Sequence, residues 1–471
     1  MRASLTTLIG ALAIASSAAA APASLEARQS SLDNTRFNAM LRNIAGASSA
    51  TLVPGAASGS VIASPSTDAP NYYYSWVRDS AMTFKVIIDA YIKGQHGVTR
   101  ALIERWIQSE MVNAANARSS SSSLGEPKFN PDGSLFTGPW GRPQNDGPAL
   151  RATAIMRYAR AIGLSDSYTA TLYKSDLSAN SIIKSDLEYV AHHWQDSSFD
   201  LWEEVQNSHL FTLMVQRRAL IEGAAFATDM KDTAAASYYS QQAAAIGSRL
   251  PGFYDPGVGR VQAYYNVDGR SGIDSAAILG FLHSFNQTAG AGTDCSAFGV
   301  ACDRVLATHK QYTDAFRSLY PINNGNSAPA AAAVGRYPED VYDGVGTSKG
   351  RPWFLTTSAA AELLYDAANV FDKVGSLAVT SISKAFFAQF QSSVAVGTYN
   401  KGSSTYGTLT GGMRTMADGF MQIVESHSFT NASLSEEFDA STGYSRGARD
   451  LTWSYAAYLT ASLARAGTPA F

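Results

Sequence analysis

Cysteine is almost absent from this chain of 471 residues, which contains only two. They are Cys295 and Cys302 in the stretch TDCSAFGVACD, which holds no histidine and no third cysteine. Structural zinc sites usually take four Cys or His ligands, so this pair gives little support to a metal site. Two thiols this close in a small-residue loop instead predict one local disulfide, a bond that persists in an oxidising compartment.

Charge is also scarce. Charged residues make up 16% of the chain and the formal net charge is −3, whereas about a quarter of the residues in a soluble protein are commonly charged. The sequence has no run of Lys or Arg, so the electrostatic footprint of a nucleic-acid-binding protein is missing. A neutral, polar substrate fits this composition better than a nucleic acid does.

The apolar run at the N-terminus is too short to span a bilayer. The start, MRASLTTLIGALAIASSAAAAP, combines a basic Arg2, an apolar run over residues 5–15 and small residues at 18–21. This pattern predicts a secretory signal peptide over residues 1–20 and an extracellular protein without a membrane span. Residues 21–28 are a candidate propeptide ending at Arg28; the alternative is an untrimmed flexible tail.

The rest of the chain, residues 29–471, is expected to form a single domain, because no Ser/Thr/Pro-rich linker or trailing all-β module occurs. Two Asn-x-Ser/Thr sequons, at Asn286 and Asn431, lie in loop-like contexts and are candidate glycosylation sites. No phosphate loop, dinucleotide fingerprint or H-E-x-x-H occurs, so we expect neither cofactor nor metal. GTSKG (346–350) fits the G-x-S-x-G pattern, but the preceding EDVYDGV is too polar for a buried strand, which favours a loop.

Helical periodicity dominates the chain, and strand-like alternation is scarce. Apolar or small residues recur at three- and four-residue spacing in segments 150–163, 210–227, 275–285, 356–371 and 451–467. An all-α fold follows, and either a closed helical barrel or an irregular bundle agrees with the pattern. Long loops such as GEPKFNPDGSLFTGPWGRPQNDGPA separate the helices, and loops of that length usually carry function.

The stretch DLWEEV places Asp200, Glu203 and Glu204 around Trp202. Adjacent carboxylates beside an apolar ring favour a raised pKa on at least one of the two glutamates. A protonated carboxylic acid is what cleavage of a glycosidic bond needs at the leaving oxygen. The alternative is a solvated acidic patch at a helix N-terminus, where the helix dipole favours carboxylates.

Other loops combine aromatic with charged residues. Sugars present apolar C–H faces and a rim of hydroxyl groups, and aromatic rings with Arg and Asp side chains match both. The clusters are NYYYSWVRDS (71–80), SLFTGPWGRPQNDGPALRA (134–152), VGRYPEDVY (334–342), RPWFLTT (351–357) and LSEEFDASTGYSRGARDLTWSYAA (434–457).

The blocks SWVRDS, GEPKF, WGRPQNDGPALRA, DLWEEV, GRYPED, PWFL, SEEFD and ARDLTWSYAA occur in this order over residues 70–460. In that order they resemble the fungal glucoamylase family, glycoside hydrolase family 15. The resemblance implies an (α/α)6 barrel of twelve helices with long functional loops at one end. It also implies release of β-D-glucose from non-reducing ends of starch and maltooligosaccharides, slower action on α-1,6 links, inversion, no metal and a monomer.

Catalytic roles follow from the resemblance. Glu203 in DLWEEV matches the general acid, and Glu436 in SEEFD matches the general base that activates water. Asp200 matches a supporting residue that is the runner-up for the base. An inverting enzyme needs a water molecule between base and sugar, so the two carboxyl groups are expected about 6.5–9.5 Å apart.

The resemblance also implies substrate contacts. Arg78 and Asp79 match residues that hydrogen-bond to the hydroxyl groups of the terminal glucose, and Arg336 matches a second residue of this kind. Glu204 matches a residue that contacts the sugar on the leaving side. Trp140 matches an aromatic residue near the acid. Five further aromatic residues are expected to line the pocket, namely Tyr72, Trp76, Trp202, Trp353 and Trp453.

Three departures from the family pattern stand out. Only one cysteine pair is present, Glu437 stands where many members have Gln, and the starch-binding module with its linker is missing from these residues. We therefore expect good activity on soluble dextrins and weak action on starch granules. The competing hypotheses are a related α-glucosidase or α-1,6-glucanase, and a sugar-binding protein on the same scaffold that has lost catalysis.

Overall fold

The computed structural model describes residues 25–285 and 292–471, with side chains from residue 29 onward. The predicted signal peptide (1–20), the first half of the candidate propeptide and the sequon at Asn286 lie outside the described residues. The first described helix begins at Leu25, so it runs through the expected processing point at Arg28.

The described residues contain fourteen α-helices and ten short strands. The helices are α1 (Leu25–Leu41), α2 (Val77–Ile92), α3 (Arg100–Ala117), α4 (Gly147–Ile162), α5 (Thr169–Leu172), α6 (Ile182–His193), α7 (Leu210–Asp229), α8 (Thr233–Arg249), α9 (Ser275–Ser284), α10 (Asp303–Arg317), α11 (Phe354–Val374), α12 (Lys384–Phe387), α13 (Ser404–His427) and α14 (Thr452–Arg465). The strands are β1 (Ser75–Trp76), β2 (Lys128–Phe129), β3 (Ser198–Phe199), β4 (Gln206–Asn207), β5 (Tyr254–Asp255), β6 (Arg260–Val261), β7 (Ser376–Val379), β8 (Gly397–Asn400), β9 (Glu437–Phe438) and β10 (Ser445–Arg446), and they form five two-stranded antiparallel pairs.

Six helices form a closed inner ring. Each contacts the next in the order α2, α4, α7, α9, α11 and α14, and α14 returns to α2. Two of the fourteen helices, α5 and α12, have four residues. The six remaining long helices, α1, α3, α6, α8, α10 and α13, alternate with the inner ones along the chain and pack outside them. Within the described residues this is an (α/α)6 barrel of twelve helices, so the predicted fold is confirmed.

Inner and outer helices differ in which side chains they bury. The inner helix α9, SAAILGFLHS, is buried at nine of its ten residues, as expected for a helix that is apolar or small on all sides. The outer helix α8 buries only Ala235, Tyr239, Ala243 and Ile246, whose spacing forms one stripe facing the core. No helix in the described ranges combines the length and apolar character that crossing a bilayer requires.

The inner helices begin at the same end of the barrel. Arg78 and Asp79 lie in the first turn of α2, Trp353 directly precedes α11, and Trp453 is the second residue of α14. All four side chains line one cavity. Because a helix N-terminus carries partial positive charge, this end of the barrel favours negatively charged side chains and polar oxygen atoms.

Candidate active site

A cavity of about 160 Å³ lies at the N-terminal ends of the inner helices. It collects residues from sequence blocks that stand far apart in the chain. Its lining consists of Ala63, Tyr72, Trp76, Arg78, Asp79, Leu201, Trp202, Glu203, Glu204, Arg336, Tyr342, Trp353, Glu436, Leu451 and Trp453.

The DLWEEV stretch forms a tight turn between β3 and β4. The carboxylate of Asp200 accepts hydrogen bonds from the backbone N–H groups of Glu204, at 2.7 Å, and Val205, at 2.9 Å. Glu203 adopts the left-handed backbone region, with φ of 68°, which residues other than glycine occupy rarely and often at functional sites. Asp200 is buried and does not line the cavity. Its contacts shape the turn that presents Glu203.

One oxygen of Glu203 is already engaged by hydrogen-bond donors. Its Oε1 accepts from Nε1 of Trp76 at 2.7 Å and from Nε2 of Gln144 at 2.9 Å, and Nη2 of Arg78 lies 3.7 Å away. A carboxyl oxygen that accepts two donor hydrogens has little room for a proton of its own. A proton on this carboxyl group therefore belongs on Oε2. The arrangement is that of an oriented acid.

Glu204 is held as a carboxylate. Arg270 and Arg336 each contact it at 2.8 Å, and the hydroxyl of Tyr337 donates a hydrogen bond to it. Burial acts to raise the pKa of Glu204, but Arg336, Tyr337 and Arg270 together hold that pKa below its ordinary value. The sequence predicts a raised pKa for at least one glutamate of this pair, and Glu204 is not that residue.

Glu436 is fully buried directly before β9. Its Oε2 accepts from the backbone N–H of Ala448 at 3.1 Å and from the Tyr342 hydroxyl at 3.3 Å. Its Oε1 has no hydrogen-bond partner among the described residues. Burial raises the pKa of Glu436 to about 7, although the nearby hydroxyl of Tyr72 and the backbone N–H of Ala448 favour its ionised form. A cavity-lining carboxyl group with one free oxygen can receive a proton from water.

A network of charged side chains closes the inner part of the cavity. Arg78 contacts Asp146 and Gln144, each at 2.7 Å. Arg336 binds Asp340 through two hydrogen bonds, of 2.8 and 2.7 Å. Burial raises the pKa of Asp79 to about 7, against the influence of Arg78. These side chains are fixed in place and offer several donors and acceptors to a polar ligand.

Aromatic rings form the walls. Trp202 lies 5.5 Å from Trp353 and 6.2 Å from Trp453, measured between ring centroids. Its indole N–H donates to Asp274, the residue before α9, at 2.9 Å. Tyr72 packs against Trp76 at 5.7 Å. The cavity thus presents flat apolar faces beside the charged groups, the pairing that suits a sugar ring.

Trp140 does not itself line the cavity. Its ring packs against Trp76 at 5.9 Å, and both rings lie beside the buried ammonium group of Lys128. Sequence reasoning missed Lys128, Gln144 and Tyr342 as site residues. All three stand inside the motif blocks GEPKF, WGRPQNDGPALRA and VGRYPEDVY, but residue type alone does not indicate which atom each one contacts.

Two features outside the cavity concern secretion. The predicted disulfide between Cys295 and Cys302 is present, with Cα atoms 5.2 Å apart. Asn431, in the second sequon, is exposed in the turn that follows α13.

The helical barrel, with carboxyl groups, arginines and tryptophans gathered at the N-terminal ends of its inner helices, defines a glycoside hydrolase. Residues 35–463 match the family described as "Glycosyl hydrolases family 15". The chain belongs to that family, as its sequence motifs predict.

Relatives and solved structures agree with this assignment. The chain is 43% identical to Glucoamylase-1 of Schizophyllum commune over 420 residues, 88% of this chain and 70% of that protein. It is 40% identical to Glucoamylase 1 of Rhizopus oryzae over 447 residues, 93% of this chain and 70% of that protein. The family 15 glucoamylase structure from Hypocrea jecorina matches with a TM-score of 0.87 at 38% identity, covering 95% of this chain and 73% of that one. The glucoamylase structure from Saccharomycopsis fibuligera matches with a TM-score of 0.83 at 34% identity, covering 94% of this chain and 95% of that one.

Proposed function

We propose that this protein is an exo-acting, inverting glucoamylase. It hydrolyses terminal α-1,4-linked glucose, and more slowly α-1,6-linked glucose, from the non-reducing ends of starch, maltodextrins and maltooligosaccharides, and it releases β-D-glucose. One observation carries the proposal. Glu203, with one oxygen saturated by donors, and Glu436, with one oxygen unpartnered, line the same cavity.

Glu203 serves as the general acid. Trp76 and Gln144 hold its Oε1, which leaves Oε2 to carry the proton and direct it to the glycosidic oxygen. As the bond between the anomeric carbon and that oxygen breaks, the oxygen takes the Glu203 proton and the shortened chain leaves as an alcohol. The sugar ring acquires positive charge in the transition state, which the carboxylates around the cavity stabilise.

Glu436 serves as the general base. Its free Oε1 accepts a proton from a water molecule while the water oxygen bonds to the anomeric carbon on the face opposite the leaving group. The carbon is therefore inverted, and the product is β-glucose. Glu436 ends protonated and Glu203 ionised, and proton exchange with solvent restores both. The contacts of Asp200 with the backbone of the turn favour Glu436 over Asp200 as the base.

The closed inner end of the cavity supports exo action. Arg78, Asp79 and Arg336 supply fixed donors and acceptors for the hydroxyl groups of one terminal glucose. The rings of Trp202, Trp353 and Trp453 pack together beside these groups, which supports the binding of one terminal glucose unit. The signal-peptide pattern and the disulfide support secretion. The proposal also includes that the enzyme acts as a monomer.

The anomer of the product tests this proposal. The secreted protein is incubated with maltoheptaose, and product is followed by NMR from the first seconds. Early β-glucose, released one unit at a time, is expected. Early α-glucose would mean retention and a covalent nucleophile, and no release would favour a sugar-binding protein. Relative rates on maltose, isomaltose and starch separate a glucoamylase from an α-glucosidase or an α-1,6-glucanase.

A further inference from the structure

A small cavity of about 20 Å³ lies inside the helical barrel. The inner helices α2, α4, α7 and α9 contribute most of its lining, and none of its residues lines the candidate active site. Lys85 is the ninth residue of α2, and Arg218 is the ninth residue of α7. Because these helices begin at the active-site end and rise about 1.5 Å per residue, the two residues lie roughly 12 Å further along the barrel. The cavity therefore takes no part in the function proposed above.

The polar part of the cavity lining is basic. It consists of Lys85, Arg218, His283 and the hydroxyl-bearing Thr153, and no described carboxyl group belongs to it. Lys85 is 7% exposed, Arg218 6% and His283 9%. A buried positive charge is costly unless a negative group compensates it. An anion inside the cavity would supply that compensation.

The ammonium group of Lys85 has no partner at contact distance. It makes neither a hydrogen bond nor an ion pair with any described residue, and Glu362, Asp366 and Asp89 act on it only at longer range. Burial raises the pKa of Glu362 and of Asp366, which weakens their negative charge. Asp89 contacts Lys93 at 2.6 Å. The positive charge of Lys85 is thus not balanced by its surroundings.

Arg218 and His283 each retain a donor for a ligand. Nε of Arg218 donates to Glu222 at 2.8 Å and Nη1 donates to the carbonyl of His283 at 3.0 Å, which leaves Nη2. Burial, with Lys85 and Arg218 nearby, holds the pKa of His283 well below its ordinary value. The imidazole is therefore neutral and has one N–H to donate. The positive surroundings that keep it neutral also attract an anion.

The size of the cavity restricts the kind of anion. A single water molecule needs about 10–15 Å³ of such space, so a volume of about 20 Å³ admits one atom of similar size. Sulfate, phosphate and any sugar ring are too large. The rest of the lining includes Leu150, Val215 and Phe471, whose apolar side chains exclude the water that would screen an attraction between charges.

We propose that one monovalent anion of the size of chloride binds in this cavity between Lys85, Arg218 and His283. The anion compensates the charge of Lys85 and connects the inner helices α2, α7 and α9. The site goes beyond the proposed function, because none of the three side chains touches the candidate active site. Its effect is on stability, since an ion that binds only the folded chain shifts the folding equilibrium by mass action.

Thermal unfolding in sodium chloride tests the proposal. The titration is run at constant ionic strength against sodium gluconate, whose anion is too large for the cavity, and at pH 6, where Lys85, with a pKa lowered by burial to about 8, is charged. We expect the thermal midpoint to rise by about 2 °C or more and to saturate. Bromide should act as chloride does.

Lys85→Met should abolish the saturable rise in the thermal midpoint. The matched control is Lys93→Met, which removes a lysine at the end of the same helix that contacts Asp89 and does not line the cavity. This control should retain the rise, and both variants should keep the kcat of the wild type on maltose.

A crystal of the wild type grown in sodium bromide provides a second measurement that needs no variant. An anomalous peak is expected in contact with Lys85. Water alone in the cavity would overturn the proposal, as would the same rise in Lys85→Met as in the wild type. A bromide peak without a saturable change in the thermal midpoint would indicate an adventitious ion only. None of these outcomes depends on glucose release, so the proposal and the proposed function fail separately.

Discussion

The ammonium nitrogen of Lys128 lies 3.5 Å from the centre of the Trp140 ring. The rings of Tyr74, Trp76 and Phe136 surround the same nitrogen at 4.1, 4.6 and 4.1 Å. Trp76 in turn donates its indole N–H to Glu203. One buried cation therefore holds the aromatic layer that orients the candidate acid, through attraction between its charge and the ring faces.

Replacing Lys128 should lower activity without lowering stability. Burial lowers the pKa of Lys128 to about 8, which shows that the charged form is costly in this site. Lys128→Met removes that cost, so we expect the thermal midpoint to hold or rise. We expect kcat/KM to fall at least tenfold, because Trp76 and Trp140 lose their common anchor. A fall in stability with normal kcat/KM of the remaining folded enzyme would show that Lys128 acts only in folding.

The acid assignment is tested by Glu203→Gln. The amide keeps the shape of the side chain but has no proton to transfer, so kcat should fall by about 10³-fold or more while maltose binding persists. Turnover is measured by glucose release and binding by calorimetry. Substantial residual turnover would assign the acid to another group.

Gly447 should be essential for the position of the base. Its φ is 68°, and a Cβ atom at this position would lie 2.3 Å from Oε2 of Glu436. Gly447→Ala should therefore displace the carboxyl group and lower kcat by about 10²-fold or more. Gly467→Ala is the matched control, because Gly467 has φ of 73° with no atom within 4 Å of an added Cβ. Similar kcat values in the two variants would exclude a positional role for Gly447.

Stability should fall as the pH rises from about 5 to about 8. Burial is the main cause that raises the pKa of Asp79 to about 7, of Asp274 to about 8 and of Glu436 to about 7. In the unfolded chain these carboxyl groups lose their protons near pH 4, so between pH 4 and 8 these three groups bind more protons in the native state than in the unfolded state. Their contribution to the free energy of unfolding must then decrease with rising pH. Urea denaturation at pH 5 and pH 8 measures the difference, and equal stability at both would contradict this account.

Glu437 should contribute to the same decrease in stability with rising pH. Its side chain is fully buried, neither of its oxygens has a hydrogen-bond partner among the described residues, and Arg351 is 3.8 Å away. Burial, reinforced by neighbouring Glu436, holds the pKa of Glu437 well above its ordinary value. Glu437→Gln should raise the thermal midpoint at pH 8 by about 2 °C or more and change it little at pH 5. Asp68→Asn, at an exposed position, should change neither value.

Much of the fold is encoded locally. The segments predicted as helices from small and apolar residues at three- and four-residue spacing coincide with α4, α7, α9, α11 and α14, all members of the inner ring. These helices are buried on nearly every side, so they contain mostly apolar and small residues. The spacing of those residues is therefore easiest to recognise in these helices. The motif blocks identified the residue types of the cavity because those blocks stand at the helix starts that meet there.

The all-α class follows from the periodicity of the chain, and the barrel and the family follow from its motif blocks. The contacts of individual atoms follow only from the folded arrangement. Asp200 stabilises a backbone turn, Trp140 packs against Trp76, and Lys128 is enclosed by rings contributed by two loop segments, 74–76 and 136–140. Burial and hydrogen-bond partners arise from residues distant in the chain, and they fix the pKa values and the free oxygen of each carboxyl group. Periodicity and local composition carry no information about contacts of that kind.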